Sequence, residues 1–183
     1  MISKTATGKG WLKMDKYIWI FPVLFMFHDM EEVIWLPGFI EKNREDIVKR
    51  YPISEKKLSA YKKGMTTEAF ALAVYEELIV LIAISALVEI TKAQWAMGIW
   101  YGGLIGFTAH LVIHIIQSIA IKRYIPSLIT SIITLPPSLL LLIHTKWDMG
   151  TPAMIGTLMG IVGVAANLKM AHMLMERYDR KTK

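Results

Sequence analysis

Residues Gln94 to Ile121 read QWAMGIWYGGLIGFTAHLVIHIIQSIAI, and this long apolar run decides the fold class. A membrane-crossing helix needs about 20 mostly apolar residues, whereas a soluble core does not need its hydrophobic residues blocked into such runs. Four other segments read the same way: Tyr17 to Ile40, Glu68 to Ile90, Ile125 to His144 and Pro152 to Met175. The expected architecture is all-α, a polytopic membrane helix bundle of about five transmembrane helices, forming a single domain over residues 1–183. Nothing between the runs is long enough for a soluble domain.

Composition agrees. Hydrophobic residues make up 54% of the chain and the mean hydropathy is +0.42, above ordinary globular usage. The absence of cysteine excludes disulfides, thiolate metal ligands and thiol nucleophiles. A net charge of +6 would suit nucleic acid, but the lysines and arginines lie between the apolar runs and at the ends. There they set topology and meet anionic headgroups, so the expected partner is the lipid bilayer and not nucleic acid. The first run is long enough to span and no small-residue cleavage site follows it, so no signal peptide is expected.

The longest connection, the loop 41–67 (Glu41 to Thr67), is charged and punctuated by Pro52 and Gly64. Within it, Ser54 to Lys63 suits either a solvated loop or a short interfacial helix with Leu58 and Tyr61 against lipid. Five spans put the two ends of the chain on opposite faces. One face carries Lys4, Lys9, Lys13, Lys16, Lys92 and Lys146. The other carries eight basic residues between Lys42 and Lys63, then Lys122, Arg123 and the tail with Arg177, Arg180, Lys181 and Lys183. The richer face belongs in the cytoplasm by the positive-inside rule. A multi-pass cell-membrane protein with a cytoplasmic carboxyl terminus is expected, although the four amino-terminal lysines pull the other way.

Ionisable groups deep in a bilayer cost several kcal/mol, so each is a functional candidate. The first run contains His28-Asp29-Met30-Glu31-Glu32, the second Glu76 and Glu77, the third His110 and His114 with Gln117 continuing their stripe. Helical rise puts His28, Glu31 and Glu32 roughly 18, 13 and 12 Å from the cytoplasmic end of their run. Glu76 and Glu77 fall at about 12 and 14 Å, His110 and His114 at about 16 and 10 Å, and Asn167 at about 12 Å from the same face. Separate helices thus bring ionisable groups to one level. Gly103 and Gly106 share the histidine stripe, Ala69, Ala73 and Ala83 share the face of Glu76, and Gly156, Gly160 and Gly163 share that of Asn167; small residues mark close helix contacts in membranes. Asn167 suits either an interhelical hydrogen bond or the site. Ser127, Ser131, Thr134 and Ser138 are expected to satisfy carbonyls freed by Pro136 and Pro137, and His144 and His172 sit at wet span ends.

Histidines and carboxylates without thiols match the ligand preferences of a divalent metal, zinc or iron. His28, His110 and His114 are the expected histidine ligands. Glu31, Glu32, Glu76 and Glu77 would divide metal-binding and acid–base duties: Glu32, Glu76 and Glu77 as candidate ligands, Glu31, Glu32 and Glu77 as candidate catalytic groups. Gln117, Tyr124 and Asn167 are candidates for substrate contact or for supporting the ligands. A metal would compensate buried carboxylates that otherwise take up protons. The groups exceed what one zinc needs, which leaves room for a second metal or a general base. Such a site suits a metal-dependent enzyme, hydrolase or oxidoreductase, on a lipid-like or small hydrophobic substrate entering sideways. The same residues would also serve a proton or cation transporter, or a structural His–Glu network without chemistry.

His28-Asp29-Met30-Glu31-Glu32 resembles the signature of the HXXEE-motif family of small multi-span membrane proteins. That family is also described with a further histidine and a YXPG motif. Tyr124-Ile125-Pro126-Ser127 is similar to the latter with serine in place of glycine, and His110 and His114 both match the further histidine. The resemblance covers roughly Tyr17 to Ser138 and implies a multi-span membrane protein, without a substrate or a reaction.

Overall fold

The computed structural model describes residues 17–50, 66–145 and 150–181. They form five helices and no strand: α1 (Ile20–Arg50), α2 (Thr67–Thr91), α3 (Gln94–Ile121), α4 (Leu128–His144) and α5 (Thr151–Lys181). Three of them, α2, α3 and α5, are long and apolar enough to cross a membrane. This is fewer than the five expected. The apolar part of α1 is interrupted by Asp29, Glu31 and Glu32, and α4 has only 17 residues, about 25 Å of helical rise.

The bounds of α3 coincide with the expected run, and those of α2 differ from it by one residue at each end. Thr66 caps α2, its hydroxyl accepting from Ala69 N at 3.1 Å, the usual way to satisfy a free amide at a helix start. The first helix departs most from expectation. It runs past Ile40 to Arg50 through residues read as loop, and Pro37 does not end it. Ile40 and Ile47, two turns apart, are both buried. Arg123 holds the extension by donating to Asn43 Oδ1 at 2.6 Å and pairing with Asp46 at 2.9 Å. The possible interfacial helix at Ser54 to Lys63 lies outside the described residues.

Registers follow from the pairings. Trp19 Nε1 donates to Glu89 at 2.8 Å, so the start of α1 lies beside the end of α2. Phe21 packs on Trp100 of α3 and His28 on His110, so α1 and α3 run parallel. The α3–α5 seam is also parallel and close: a Cβ on Gly102 would lie 2.3 Å from Thr157 O, and one on Gly160 2.3 Å from Ile99 O. This seam uses Gly98 and Gly102, whereas Gly103 turns toward Phe21 and Gly163 meets no atom within 4 Å. Ala69 and Ala73 are buried as expected, and Ala83 is exposed.

One apolar cluster, with Phe21, Leu81, Trp100 and Leu104, fills the half of the bundle nearest the start of α1. Another, with Val33, Phe70, Ala73 and Met175, fills the opposite half. The ionisable residues lie between them. Outside, large apolar side chains face away from the bundle, Ile79 65%, Ile119 70% and Val162 68% exposed; so broad an apolar exterior marks contact with lipid or with other protein.

Candidate metal centre

His28 and Glu32 lie one helical turn apart on α1 and therefore share a face. His110 and His114 do the same on α3. The parallel packing of these helices brings one ligand atom from each of the four residues within 4.8 Å of the others. His114 Nε2 lies 2.8 Å from His110 Nε2 and 2.9 Å from Glu32 Oε1. The His28 ring centroid is 5.4 Å from those of both His110 and His114, and Phe107 closes on it edge-to-face.

A hydrogen-bond chain orients His28. Its Nδ1 lies 3.1 Å from Thr130 Oγ1, and that hydroxyl is 2.6 Å from Glu31 Oε2. A hydroxyl has a single proton, and Thr130 gives it to the carboxylate. It must then accept from His28 Nδ1–H, which leaves the lone pair on His28 Nε2. That nitrogen is fully buried and has no hydrogen-bond partner. Ligating histidines are commonly oriented this way, their second nitrogen held by a carboxylate or another polar group. His114 Nδ1, by contrast, is buried without a partner.

Glu31 thus faces away from the four-atom group, toward the start of α4. Successive helical residues point about 100° apart, so Glu31 and Glu32 take different directions. Tyr124 Oη donates to Glu31 Oε1, and Thr130 N donates to Glu31 Oε2 at 2.8 Å, one of the free amides of the first turn of α4. Burial and the adjacent carboxylate push the Tyr124 phenol up to about 12, so it keeps its proton and donates. The turn before α4 makes this docking possible. Leu128 N donates to Ile125 O at 3.1 Å, Pro126 takes the second position, and Ser127 takes the third with φ 90° and ψ −13°. This is a type II turn, whose third position favours glycine.

The two glutamates of α2 also separate. Glu77 lines a cavity of about 440 Å³ together with Asp29, Glu32, His110, His114 and Asn167. Glu76 pairs with Asn167, whose Nδ2 donates to it at 3.3 Å, and its other oxygen is buried without a partner. Neither joins the four-atom group. Gln117 is exposed, and the structure does not bring it to the cluster. His144 and His172 each meet the carbonyl of the residue four before it; neither joins the four-atom group, and His172 lines the cavity. In the hydroxyl stripe, Thr134 donates to Thr130 O at 2.6 Å, while Ser127, Ser131 and Ser138 have buried hydroxyls without partners.

Two residues with a place here escaped the sequence reading. Thr130 lies next to the stripe it recognised, and its third-residue position in a helix after a proline turn was the available signal. Asp29 is buried, lines the cavity and has Oδ1 3.9 Å from His28 Nε2; its place inside the motif was the signal.

The donor set suits a divalent cation. Around His114 Nε2 converge a second ring nitrogen and a carboxylate oxygen, with one proton at most to share among them. Three imidazoles and one carboxylate are ligands of the kind zinc and non-haem iron take.

Among known proteins, no curated protein and no solved structure matches the chain. The model of the family described as "Protein of unknown function with HXXEE motif" matches residues 19–142, which span His28, Glu31, Glu32, both α3 histidines and the Tyr124–Ser127 turn. The chain belongs to the HXXEE-motif family.

Proposed function

We propose that this is a metal-dependent enzyme of the cell membrane, with five spans, acting on a lipid-like or small hydrophobic substrate. His28, Glu32, His110 and His114 hold one divalent metal, zinc or iron. The observation that carries the reading is the buried, unpartnered Nε2 of His28, in a group of four potential ligand atoms within 4.8 Å of one another. A hydrogen-bonded staple between helices would leave this buried histidine nitrogen without a hydrogen bond, its desolvation uncompensated.

A metal there would supply Lewis acidity and activate water, or, as iron, redox chemistry. Glu32 gives the centre a negative ligand. Glu31 and Thr130 keep the His28 lone pair on Nε2. Asp29 and Glu77 line the cavity beside the centre and are the groups that hold or accept a proton during turnover.

In α1 the charges that shorten its apolar stretch turn inward or dock on α4, so the helix crosses without exposing them to lipid. Helix α4 crosses with help from the Ile125–Ser127 turn. The residue 41–67 region and the carboxyl terminus lie in the cytoplasm because the basic residues divide that way.

A second reading, a proton- or cation-coupled transporter, is favoured by one observation: Asp29, Glu32, Glu77 and both α3 histidines line a single cavity. Metal analysis of detergent-purified protein separates the two. Stoichiometric zinc or iron supports the enzyme, and metal-free protein with pH-dependent flux in liposomes supports the transporter.

A further inference from the structure

The cavity beside the centre has a distribution of polarity that selects among hydrophobic ligands. Its lining on α1 runs from Phe21 to Leu36, about 22 Å of helical rise. Asp29 falls at the middle of that length and Glu32 one turn further toward Leu36. Helices α2 and α5 repeat the order, whereas on α3 the lining ends at His114. On α2, Ile84 lies on one side of Glu77 and Phe70 on the other; on α5, Met159 and Met175 flank Asn167. Because α1, α3 and α5 are parallel and α2 is antiparallel to them, these levels coincide. The cavity therefore has one polar belt with a mainly apolar lobe on either side; His110 and His114 belong to the belt, and among the described residues His172 is the one histidine in the lobe beyond it.

Access is apolar too. Ile113, Met159 and Leu168 line the cavity yet are 49%, 58% and 40% exposed. The wall through which a ligand enters from the side carries no charge at these positions. A volume of about 440 Å³ falls within the range of roughly 300–1,000 Å³ typical of small-molecule sites.

We propose that the cavity binds a neutral lipid whose polar group lies inside the molecule, with a hydrocarbon segment on either side. An ester or amide joining two hydrocarbon chains has this form. A molecule with one terminal headgroup would bury its polar end in the belt and fill one lobe, leaving the other open. Two chains fill both. The inference deepens the proposed enzyme reading by naming the substrate class, and it rests on the belt being the reactive centre.

The test uses the full-length protein in detergent and a photoreactive medium-chain alkyl ester of a medium-chain fatty acid, each chain short enough for one lobe, its diazirine next to the ester. Labelled peptides are mapped by mass spectrometry, with metal content measured in the same samples. Labelling is expected on the peptides that carry Asp29 and Glu77, where carboxylates trap the probe. Gly103→Leu should fill one lobe and Ala73→Leu the other, each lowering that labelling about tenfold in variants that stay monodisperse. The medium-chain fatty acid analogue with its diazirine beside the free carboxylate should label the same peptides less and be sensitive to only one of the two variants. Belt labelling that both variants leave unchanged, labelling confined to outward-facing α3 residues such as Val112 and Ile116, or equal labelling by the two probes would overturn the inference. Metal bound without belt labelling sinks the ligand and leaves the centre standing. Lobe-dependent labelling of metal-free protein keeps the ligand site and sinks the metal.

Discussion

His28 Nδ1 lies 3.1 Å from Thr130 Oγ1, and this contact joins the two motif segments into one structure. Through it the Tyr124–Ser127 turn, the first turn of α4 and Glu31 act together on the orientation of a single imidazole. The first glutamate of the motif is thereby separated in its contacts from the second: Glu31 meets Tyr124 and Thr130, and Glu32 meets His114.

Thr130→Val keeps the shape of the side chain and removes the hydroxyl. It should weaken metal affinity about 10- to 100-fold, the usual cost of losing such a partner, whereas Thr130→Ser should stay within a few-fold of the parent. Glu31→Gln should fall with Thr130→Val and also lower thermal stability, since it caps α4, while Glu32→Gln should lose the metal. Competition against a chelator of known affinity measures all four. Equal affinity in Thr130→Val and Thr130→Ser would dissolve the relay.

Ser127 is a non-glycine residue at φ 90°, a region that costs an L-residue roughly 1–2 kcal/mol. Its hydroxyl has no partner, so a glycine loses nothing there. Ser127→Gly should stabilise the protein by up to about 1 kcal/mol, read as a higher unfolding temperature in detergent. A lower temperature would mean that the serine hydroxyl holds something.

The gaps in the sequence reading have the same geometric origin. A long apolar run has definite ends, which is why α3 was legible to the residue. Depth along a helix was legible too, and it placed His28, Glu32, His110 and His114 at one level. Direction around the axis was not. Adjacent residues such as Glu31 and Glu32, or Glu76 and Glu77, point about 100° apart, and one isolated helix does not say which of them faces the partner. The same ambiguity hid Gly98 and Gly102 in the close seam of α3, where Gly106 faces Val164 as expected and Gly103 does not take part. The extension of α1 to Arg50 depends on Arg123, which is distant in sequence, so local charge read it as loop.

The α3–α5 seam has its own test. Gly102→Ala and Gly160→Ala each drive a Cβ into backbone and should destabilise the protein by about 1–3 kcal/mol or more. Gly163→Ala, with no atom within 4 Å of its added carbon, should be neutral. Thermal unfolding of the three variants in one detergent ranks them. A neutral Gly102→Ala would mean that the helices pack otherwise.

The proposed topology is tested by cysteine labelling at Ser3, Ser54 and Thr182, with no native cysteine to confuse the signal. Ser54 and Thr182 should react from the cytoplasmic side and Ser3 from the other. Equal accessibility of Ser3 and Thr182 from one side would exclude five spans.

The metal content of purified protein, compared across histidine variants, tests the central claim most directly. The parent should carry about one zinc or iron per chain, as expected of a site with four protein ligands. His28→Ala, His110→Ala and His114→Ala should each lose most of it while remaining monodisperse, and His144→Ala and His172→Ala should keep it. A parent that binds no metal, or five variants that retain it equally, would contradict the centre described for His28, Glu32, His110 and His114.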